Sequence, residues 1–214
     1  IRGDDAEVER RLGAMDLEGL DPDVAAYVAA VRAEALVWSD RSAEGLTAAE
    51  AGLRQLDGLE DVLWTAPLVA LGLRAGAELA ESARAHRSET ALEAATAGID
   101  PLRAHLEWLA PRVTTTSGRG WVASARGELA RAEARDGALD WLEAVEAFDA
   151  VPDPIAAAYA RFRAAEAALR SEGVRADVGA LIHQAAAVAD ETGAQPLAAA
   201  VATLAARARI ATRS

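Results

Sequence analysis

The chain has 214 residues, of which 52% are apolar and 26% charged, a composition typical of a folded globular protein and unlike that of a disordered chain. Its formal net charge of −12 argues against a nucleic-acid-binding surface, because phosphate backbones attract clustered cations. Alanine supplies about a quarter of the residues and aromatic residues only 4%, so the composition favours helices over strands and predicts an all-α fold.

Cysteine is absent from the sequence, which excludes disulfides, thiolate metal sites and a cysteine nucleophile. No apolar stretch reaches the roughly 18 residues that indicate a membrane span, and the first five residues, IRGDD, do not resemble a secretory leader. We therefore expect a cytoplasmic protein that needs no cofactor and does not enter a membrane.

The first two predicted helices each begin at a recognisable capping signal. Asp21 and Pro22 combine an N-cap with a first-turn proline and predict a helix that runs to about Trp38. Thr47 and Glu50 form a capping box, which predicts that a short second helix begins there.

A longer helix and a loop complete the N-terminal half. Leucine and alanine recur at four-residue spacing from about residue 66, which predicts a long third helix. Asp100 and Pro101 repeat the first start signal and predict a fourth helix. The following stretch 111–120, PRVTTTSGRG, is the most loop-like segment of the chain.

The C-terminal half is more regular than the N-terminal half. Helical patterns alternate there with glycine- and proline-containing separators. The predicted helices cover residues 119–135, 138–149, 154–171, 175–191 and 195–211. The whole chain is then expected to contain about ten helices joined by short turns, which makes neighbouring helices antiparallel.

Two C-terminal hairpins are related by an internal repeat. Superposing Asp136 on Gly173 aligns Trp141 with Val178, at an offset of about 37 residues, close to the 34-residue tetratricopeptide period. Small residues then occupy the positions where paired helices approach closely, and large ones the positions where the next hairpin packs. The pattern predicts stacked antiparallel helical hairpins, that is, a tetratricopeptide-like α-solenoid.

We expect the repeats to form a single domain over residues 1–214. The loop-like stretch offers a subdivision into 1–112 and 119–214 as the alternative. The terminal helix 195–211 carries an apolar face, which either the preceding helix or a second copy of the chain must cover.

Several segments resemble the helical-repeat region of large ATP-binding LuxR-type transcriptional regulators. The C-terminal ones are IAAAYARFRAAEAAL at 155–169, HQAAAVADETGAQPL at 183–197 and AARARI at 205–210. Earlier ones are APLVALGLR at 66–74 and ELAR at 128–131. In that family the repeat region lies between a nucleotide-binding switch domain and a helix-turn-helix DNA-binding domain.

The resemblance implies signal reception or coupling between domains, in a fragment or a degenerate relative of such a regulator. It does not imply ATP or DNA binding by this chain, since the sequence has no G-x-x-x-x-G-K-[ST] phosphate loop and ends at Ser214, about where the DNA-binding domain of the family would begin. The expected partners are a protein, adjacent domains of a larger regulator or a small-molecule inducer, and a homodimer is a further expectation.

Candidate catalytic or metal-binding groups are scattered along the sequence. His86, His105 and His183 are far apart and lack metal-ligand spacing, so we interpret them as surface or partly packed residues. Glu143 and Glu146 share a helix face, as two-carboxylate catalysis requires, but a solvated face is the favoured interpretation. We assign no catalytic, cofactor-binding or metal-binding residue.

The favoured role for carboxylates elsewhere is pairing on exposed helix faces. Glu50 with Arg54 and Glu166 with Arg170 have the i,i+4 spacing of such pairs. These pairs are expected to stabilise single helices by a few tenths of a kcal/mol each, without a chemical role.

Two further features offer weaker binding hypotheses. The polar loop 114–120 precedes a helix start, where free backbone N–H groups next to Arg119 would suit an anion. A ligand groove would instead need two or three of the five tryptophans to converge, although core packing is the favoured role for each. The tryptophans are Trp38, Trp64, Trp108, Trp121 and Trp141.

Three functions remain open from the sequence. The favoured one is a non-catalytic scaffold or sensor module that binds a partner protein, a neighbouring domain or a small inducer. The second is a helical enzyme, which predicts a deep pocket holding at least two titratable groups with perturbed pKa values. The third is an oligomerisation module, which requires the apolar face of the terminal helix to stay exposed.

Overall fold

The computed structural model describes residue 11 and residues 19–135, 137–170 and 177–210, and every regular element in this part of the chain is an α-helix. The nine helices found there are α1 (Pro22–Trp38), α2 (Ser42–Gln55), α3 (Thr65–Ala85), α4 (Glu89–Leu109), α5 (Thr116–Ala132), α6 (Ala138–Asp149), α7 (Pro154–Arg170), α8 (Val178–Thr192) and α9 (Gln195–Ala208). The predicted all-α fold is confirmed, and the predicted number of about ten helices is close.

The helices stack in chain order. Each helix packs against the next one, and α3 also packs against both α1 and α5, so that these three helices lie side by side. Short loops connect most neighbours, for example 39–41 and 86–88. The packing is that of stacked hairpins, as a helical repeat requires.

Apolar side chains fill three adjoining clusters. The largest extends from Ala26 in α1 to Ala132 in α5 and crosses the loop 110–115. A second surrounds Trp141 between α5, α6 and α7, and a third surrounds Ile182 between α7, α8 and α9. The assignment of one domain to 1–214, or of two to its halves, stays a prediction.

Several predicted helix starts are confirmed. The Asp21 side chain accepts a hydrogen bond from Asp23 N at 3.1 Å, and Pro22 occupies the first turn of α1. Helix α6 covers the predicted residues, and α7 begins at Pro154 as predicted. The starts of α1 and α7 depend on local capping chemistry, which a sequence displays directly.

Helix α2 begins earlier than the capping box at Thr47 predicted. Thr47 lies inside the helix, where its hydroxyl donates to the carbonyl of Ala43 at 3.1 Å. Arg41 pairs with Glu44 across the first turn. A threonine hydroxyl can bond back to a carbonyl one turn earlier as well as cap a helix, so the sequence signal was wrong here.

The predicted helix start at Pro101 is also wrong, because Pro101 lies in the interior of α4. The helix begins after Ser88, whose hydroxyl accepts from Ala91 N at 3.3 Å. Pro101 sits on the exposed side of α4, while Leu102 and Leu106 are buried on the opposite side. An interior proline costs about 3 kcal/mol, and burial of the leucine face offsets that cost.

The loop predicted at 111–120 is shorter than expected. Thr115 caps α5 by accepting from Gly118 N at 3.1 Å, so residues from Thr116 onward are helical. A Cβ atom on Gly120 would approach the ring of Phe148 to 2.8 Å, which shows why the glycines belong to a packed helix. The predicted start of a helix at 175 and the aligned residues Asp136 and Gly173 lie outside the described residues.

The terminal helix α9 packs on α8 within the chain. Leu197, Val201 and Leu204 are each no more than 2% exposed. The apolar face that an oligomerisation module would leave open is therefore covered at these positions. None of the described helices is both long and apolar enough to span a membrane.

Candidate ligand-binding site

A cavity of about 340 Å³ lies where α1, α3, α5 and α7 meet. Its wall is mainly apolar and includes four aromatic side chains, Trp38, Trp121, Phe148 and Tyr159. Its polar side chains are Glu34, Arg74, Ser124, Glu128 and Asp153. Residues from Val31 in α1 to Tyr159 in α7 therefore contribute to one cavity.

The aromatic rings of the cavity pack against one another in edge-to-face pairs. Trp38, at the end of α1, meets Tyr159 of α7 edge-on with 5.9 Å between ring centroids. Trp121 meets Phe148 in the same way at 5.2 Å. Such edge-to-face pairs add stabilisation beyond the burial of apolar area, so these contacts help to hold the wall in place.

Arg74 is a buried cation in this wall. It is 5% exposed, and its Cζ atom lies 4.0 Å from the ring centroid of Trp38 and 4.1 Å from that of Tyr159. Among the described residues, its guanidinium has neither a hydrogen-bond acceptor nor a carboxylate oxygen within 4.0 Å, and its Nε is fully buried. Two aromatic rings and the more distant charges of Glu34 and Glu78 therefore stabilise its charge, and its N–H groups have no acceptor in the described chain.

A second polar atom in the wall has the same deficiency. The Nε1 atom of Trp38 is buried without a hydrogen-bond partner. A buried donor without an acceptor lowers the stability of the fold by about 1–3 kcal/mol. Two such donors in one small wall are therefore unfavourable for folding.

Glu34 is the ionisable carboxyl on the α1 side of the cavity, one turn before Trp38. Burial raises the pKa of Glu34, and the charge of Arg74 opposes this effect. The indole of Trp38 also favours the charged form, although its N–H does not reach hydrogen-bonding geometry. Asp153, across the cavity, raises the pKa of Glu34 further.

A fully paired charged network lies directly beside the cavity, on the next turns of the same helices. Its centre is Arg131 of α5, whose side chain is 4% exposed. Arg131 donates to Glu128 at 2.8 Å, Glu78 at 3.1 Å and Glu81 at 2.7 Å. Its remaining terminal nitrogen donates to the carbonyl of Arg74 at 3.3 Å.

Tyr159 joins the network to the cavity. Its hydroxyl donates to Glu128 and accepts from Nε of Arg163 at 2.9 Å. Arg163 also donates to Glu78 and Glu166, each at 2.7 Å. Burial raises the pKa of the Tyr159 phenol, which therefore stays a neutral donor.

The pKa values of the network show that its charges are matched. Burial alone would raise the pKa of Glu78, but the charges of Arg131 and Arg163 outweigh burial and hold this pKa below its ordinary value. Burial would also raise the pKa of Glu166, but the charges of Arg163, Arg170 and Arg131 together outweigh burial and lower this pKa. Burial would lower the pKa of Arg131, yet the nearby carboxylates raise it. These groups stay charged because each has a partner.

A second cavity, of about 270 Å³, lies between α5 and α7 on the far side of the network. Its wall contains four arginines, and each is already paired with a carboxylate of the chain. The pairs are Arg131 with Glu128, Arg135 with Glu133, and Arg163 and Arg170 with Glu166. This cavity therefore contains no arginine that lacks a carboxylate partner and could bind an anionic ligand instead.

The three histidines do not converge. His86, just after α3, and His183, in α8, are both exposed, whereas His105 lines an outer groove next to Pro101 and Trp108. In the part of the chain that the structure describes, no cluster of three or more histidine or acidic side chains could hold a metal ion.

The carboxylates singled out from the sequence have mixed outcomes. Glu143 and Glu146 are exposed, and Glu143 lies 3.8 Å from Arg126. Glu166 does pair with Arg170, at 3.0 Å, but its side chain is only 14% exposed, so the prediction of a solvated face is wrong there. The predicted partner of Glu166 was correct, and its second partner, in the network, was missed.

The pair predicted between Glu50 and Arg54 on α2 is not formed within 4.0 Å. The loop 114–120 satisfies its own groups, since Arg119 donates to the carbonyl of Thr114 and to the hydroxyl of Thr116, both at 3.1 Å. Its helix start therefore carries side-chain partners from the chain itself.

The tryptophans divide between two roles. Trp38 and Trp121 converge on the cavity, as a ligand groove requires. Trp141 is buried in the core, whereas Trp64 packs on Tyr27 and Trp108 lies under an arginine. Convergence of two tryptophans was the condition set by the sequence, and it is met.

Sequence reasoning missed Arg74, Glu34 and Tyr159, although one signal was available. Arg74 is the single charged residue in the run 65–77, TAPLVALGLRAGA, which is buried throughout. A lone cation inside an apolar helix indicates a buried polar site. Glu34 and Tyr159 give no comparable signal, because only the stacking of α1 and α7 brings them to Arg74.

No protein-family model, curated protein or solved structure matches this chain. The similarity of its repeat segments to LuxR-type regulators accordingly stays a prediction. The chemistry of the cavity wall, an apolar lining with one buried cation and three carboxyl side chains, is the basis for assigning a function.

Proposed function

We propose that this chain is a non-catalytic helical-repeat sensor module that binds a small inducer in the cavity between α1, α3, α5 and α7. The observation that carries the proposal is Arg74, a buried guanidinium without an acceptor in a cavity wall of aromatic rings. Ligand pockets typically combine a mainly apolar lining with a few polar groups of this kind.

The position of the cavity supports a sensing role. Its wall joins Trp38 of α1 to Tyr159 of α7, which are far apart in sequence. A ligand that contacts both sides would favour the arrangement in which α1 and α7 are held together. It acts as a signal only if its affinity for that arrangement exceeds its affinity for a more open one.

The receiver of the signal is a partner protein or adjacent domains of a larger regulator, and this function fits a cytoplasmic location. This part of the proposal follows the resemblance to LuxR-type regulators, in which a repeat region couples domains. The negative charge of the chain supports a protein partner in preference to direct nucleic-acid binding. Size-exclusion light scattering, with and without ligand, tests whether a homodimer takes part.

A thermal-shift screen of metabolites tests the proposal. A ligand at one hundred times its Kd adds about 2.7 kcal/mol to the free energy of unfolding, which a melting curve resolves. Ala156 lines the cavity and is half-buried, so Ala156→Phe should fill the space and abolish the stabilisation. Ala199 is exposed on α9, and Ala199→Phe is the matched control that should retain it. Ligands that stabilise Ala156→Phe as strongly as the wild type would overturn the proposed site.

One observation favours a helical enzyme as the second candidate. Glu34 and Tyr159 both line the cavity, and burial raises the pKa of each. Two perturbed groups in one pocket are the feature expected of an active site. The Tyr159 hydroxyl, however, is engaged by Glu128 and Arg163, which leaves Glu34 as the one candidate base.

Mass spectrometry of the stabilising ligands separates these two candidates. A sensor leaves each ligand chemically unchanged after prolonged incubation with the protein. Turnover by the wild type that is lost in Glu34→Gln, with binding retained, would establish the enzyme instead.

A further inference from the structure

We propose that the ligand of this cavity is a small organic carboxylate with a flat apolar body. This inference rests on the proposed function, because it names the chemical class that the same cavity selects. Its basis is the juxtaposition of the unpartnered Arg74 guanidinium with the aromatic rings of Trp38, Trp121, Phe148 and Tyr159.

Arg74 fixes the charge of the ligand headgroup. A guanidinium is a permanent cation, unlike the ammonium group of a buried lysine. Its planar fork of N–H groups matches the two oxygens of a carboxylate. A carboxylate in the cavity would give the Arg74 guanidinium the hydrogen-bond acceptors at contact distance that the described residues do not provide.

The other carboxylates of the wall cannot serve Arg74 in this way. Glu128 is committed to Arg131 at 2.8 Å and to the hydroxyl of Tyr159. Asp153 accepts the backbone N–H of Ala156 at 3.1 Å, at the start of α7. Both side chains are held by bonds that build the fold.

A cationic ligand fits this wall less well. An ammonium group would find Glu34 and Asp153, but it would also face the permanent charge of Arg74 at short range. Arg74 would still lack a hydrogen-bond acceptor, and two cations would share one small cavity. Like charges at close range in a poorly hydrated space repel strongly.

The protonation state of Glu34 affects the affinity of the cavity for an anion. It faces Arg74 of α3 and Asp153 before α7, while Glu128 and Tyr159 form the side towards the network. A carboxyl group can take up a proton and become neutral, whereas a guanidinium group cannot lose its proton. The wall is therefore able to match an incoming anion by neutralising Glu34, and burial of this side chain already favours that neutral form.

The rest of the wall selects the body of the ligand. Trp121 and Phe148 form an edge-to-face pair, and Val31, Leu71 and Ile155 complete the apolar surface. A cavity of about 340 Å³ is at the small end of ligand pockets, which span about 300–1,000 Å³. A single ring with a short acid side chain is the scale of ligand that fits.

Isothermal titration calorimetry with three matched probes tests the charge of the headgroup. Phenylacetate, phenylacetamide and phenethylamine carry the same ring with an anionic, a neutral and a cationic headgroup. We expect phenylacetate to bind about tenfold more tightly than phenylacetamide, because a hydrogen bond to a charged group adds about that much. Phenethylamine should bind most weakly of the three.

Two variants tie the selectivity to the named side chains. Arg74→Met removes the cation at similar length and should remove the advantage of phenylacetate over phenylacetamide. Glu34→Gln keeps the shape of the wall and should strengthen phenylacetate binding severalfold while leaving phenylacetamide unchanged. Arg112, which lies over Trp108 on the exposed surface at 4.6 Å, provides the matched control Arg112→Met, which should bind all three probes as the wild type does.

The outcomes separate this inference from the proposed function. Equal or stronger binding of phenethylamine or phenylacetamide in the cavity overturns the carboxylate class and leaves a sensor cavity in place. The carboxylate class is also overturned if phenylacetate does not bind and the metabolite screen finds a non-acidic ligand whose binding Ala156→Phe blocks. The sensor cavity again stays in place. If nothing in either experiment binds in the cavity, the proposed function fails together with the inference.

Discussion

Two buried arginines on neighbouring helices of this protein have different interaction partners. Arg131 is 6% exposed and donates to three carboxylates, whereas Arg74 is 5% exposed and lies against two aromatic rings without an acceptor among the described residues. Burial is the same, so the difference lies in the partners. The comparison indicates that the network around Arg131 stabilises the fold, while the wall around Arg74 lacks a hydrogen-bond acceptor for its guanidinium.

The largest expected effect comes from removing Arg131. Arg131→Met should lower the free energy of unfolding by about 3–5 kcal/mol, because it leaves Glu128, which is 1% exposed, as an unpaired buried charge. Urea denaturation measures the change. Arg112→Met is the control, with an expected change within about 0.5 kcal/mol, as for other exposed positions. A cost for Arg131→Met as small as that of the control would mean that the network does not stabilise the fold.

Removing the hydroxyl that joins the two regions should have the next largest effect. Tyr159→Phe keeps the ring against Arg74 but deprives Glu128 of a donor and Arg163 of an acceptor, and should cost about 1–3 kcal/mol. Tyr27 is 52% exposed, so Tyr27→Phe should cost less than about 0.5 kcal/mol by the same denaturation measurement. Equal costs at the two positions would contradict the bridging role of Tyr159.

The pH dependence of stability should have opposite signs in the two regions. The pKa of Glu34 is raised by burial, so its contribution is favourable below the ordinary Glu pKa of about 4.3 and is lost as pH rises through the folded-state pKa. Glu34→Gln should therefore be more stable than the wild type at neutral pH, by about 1.4 kcal/mol for each unit by which the pKa is raised.

The pKa of Glu78 is lowered instead, so its contribution is present above about 4.3 and is lost as pH falls through the folded-state pKa. Glu78→Gln should accordingly be less stable than the wild type at neutral pH, and the difference should vanish in acid. Denaturation curves of both variants from about pH 3 to about pH 8 test the pair of signs. The same sign for the two variants would refute the contrast between the regions.

The smallest expected effect on stability comes from Arg74 itself. Arg74→Met should change the free energy of unfolding by less than about 1 kcal/mol, since the cation–π contacts it removes, worth about 2 kcal/mol, are offset by relief of a buried unsatisfied charge. The measurement is again urea denaturation, beside Arg131→Met. A loss approaching that of Arg131→Met would show that Arg74 is a structural residue and not a group kept for a ligand.

The sequence predicted the helices better than the site. Capping at Asp21 and the start at Pro154 follow from local chemistry, so both could be predicted. The interior position of Pro101 could not, because burial of a distant leucine face decides it. A local signal was wrong wherever tertiary packing competed with it.

The site was harder to predict because its members come from different helices. Convergence of Trp38 and Trp121 was foreseen only as one alternative to core packing. Tyr159 and Glu34 belong to one site because α7 stacks back towards α1, and no spacing in the sequence encodes that. Arg74 was the exception, since a single charge in an apolar run was visible in the sequence itself.

The most direct test of the ligand cavity is a two-dimensional ¹H–¹⁵N NMR titration that follows the indole N–H signals of the tryptophans. The titrant is the compound that stabilises the protein most in the thermal screen. The account predicts that the signals of Trp38 and Trp121 shift together and saturate, while those of Trp64 and Trp108, which lie away from the cavity, stay in place. Saturating shifts at Trp64 or Trp108, with Trp38 and Trp121 unmoved, would place the ligand elsewhere and contradict the cavity as the binding site.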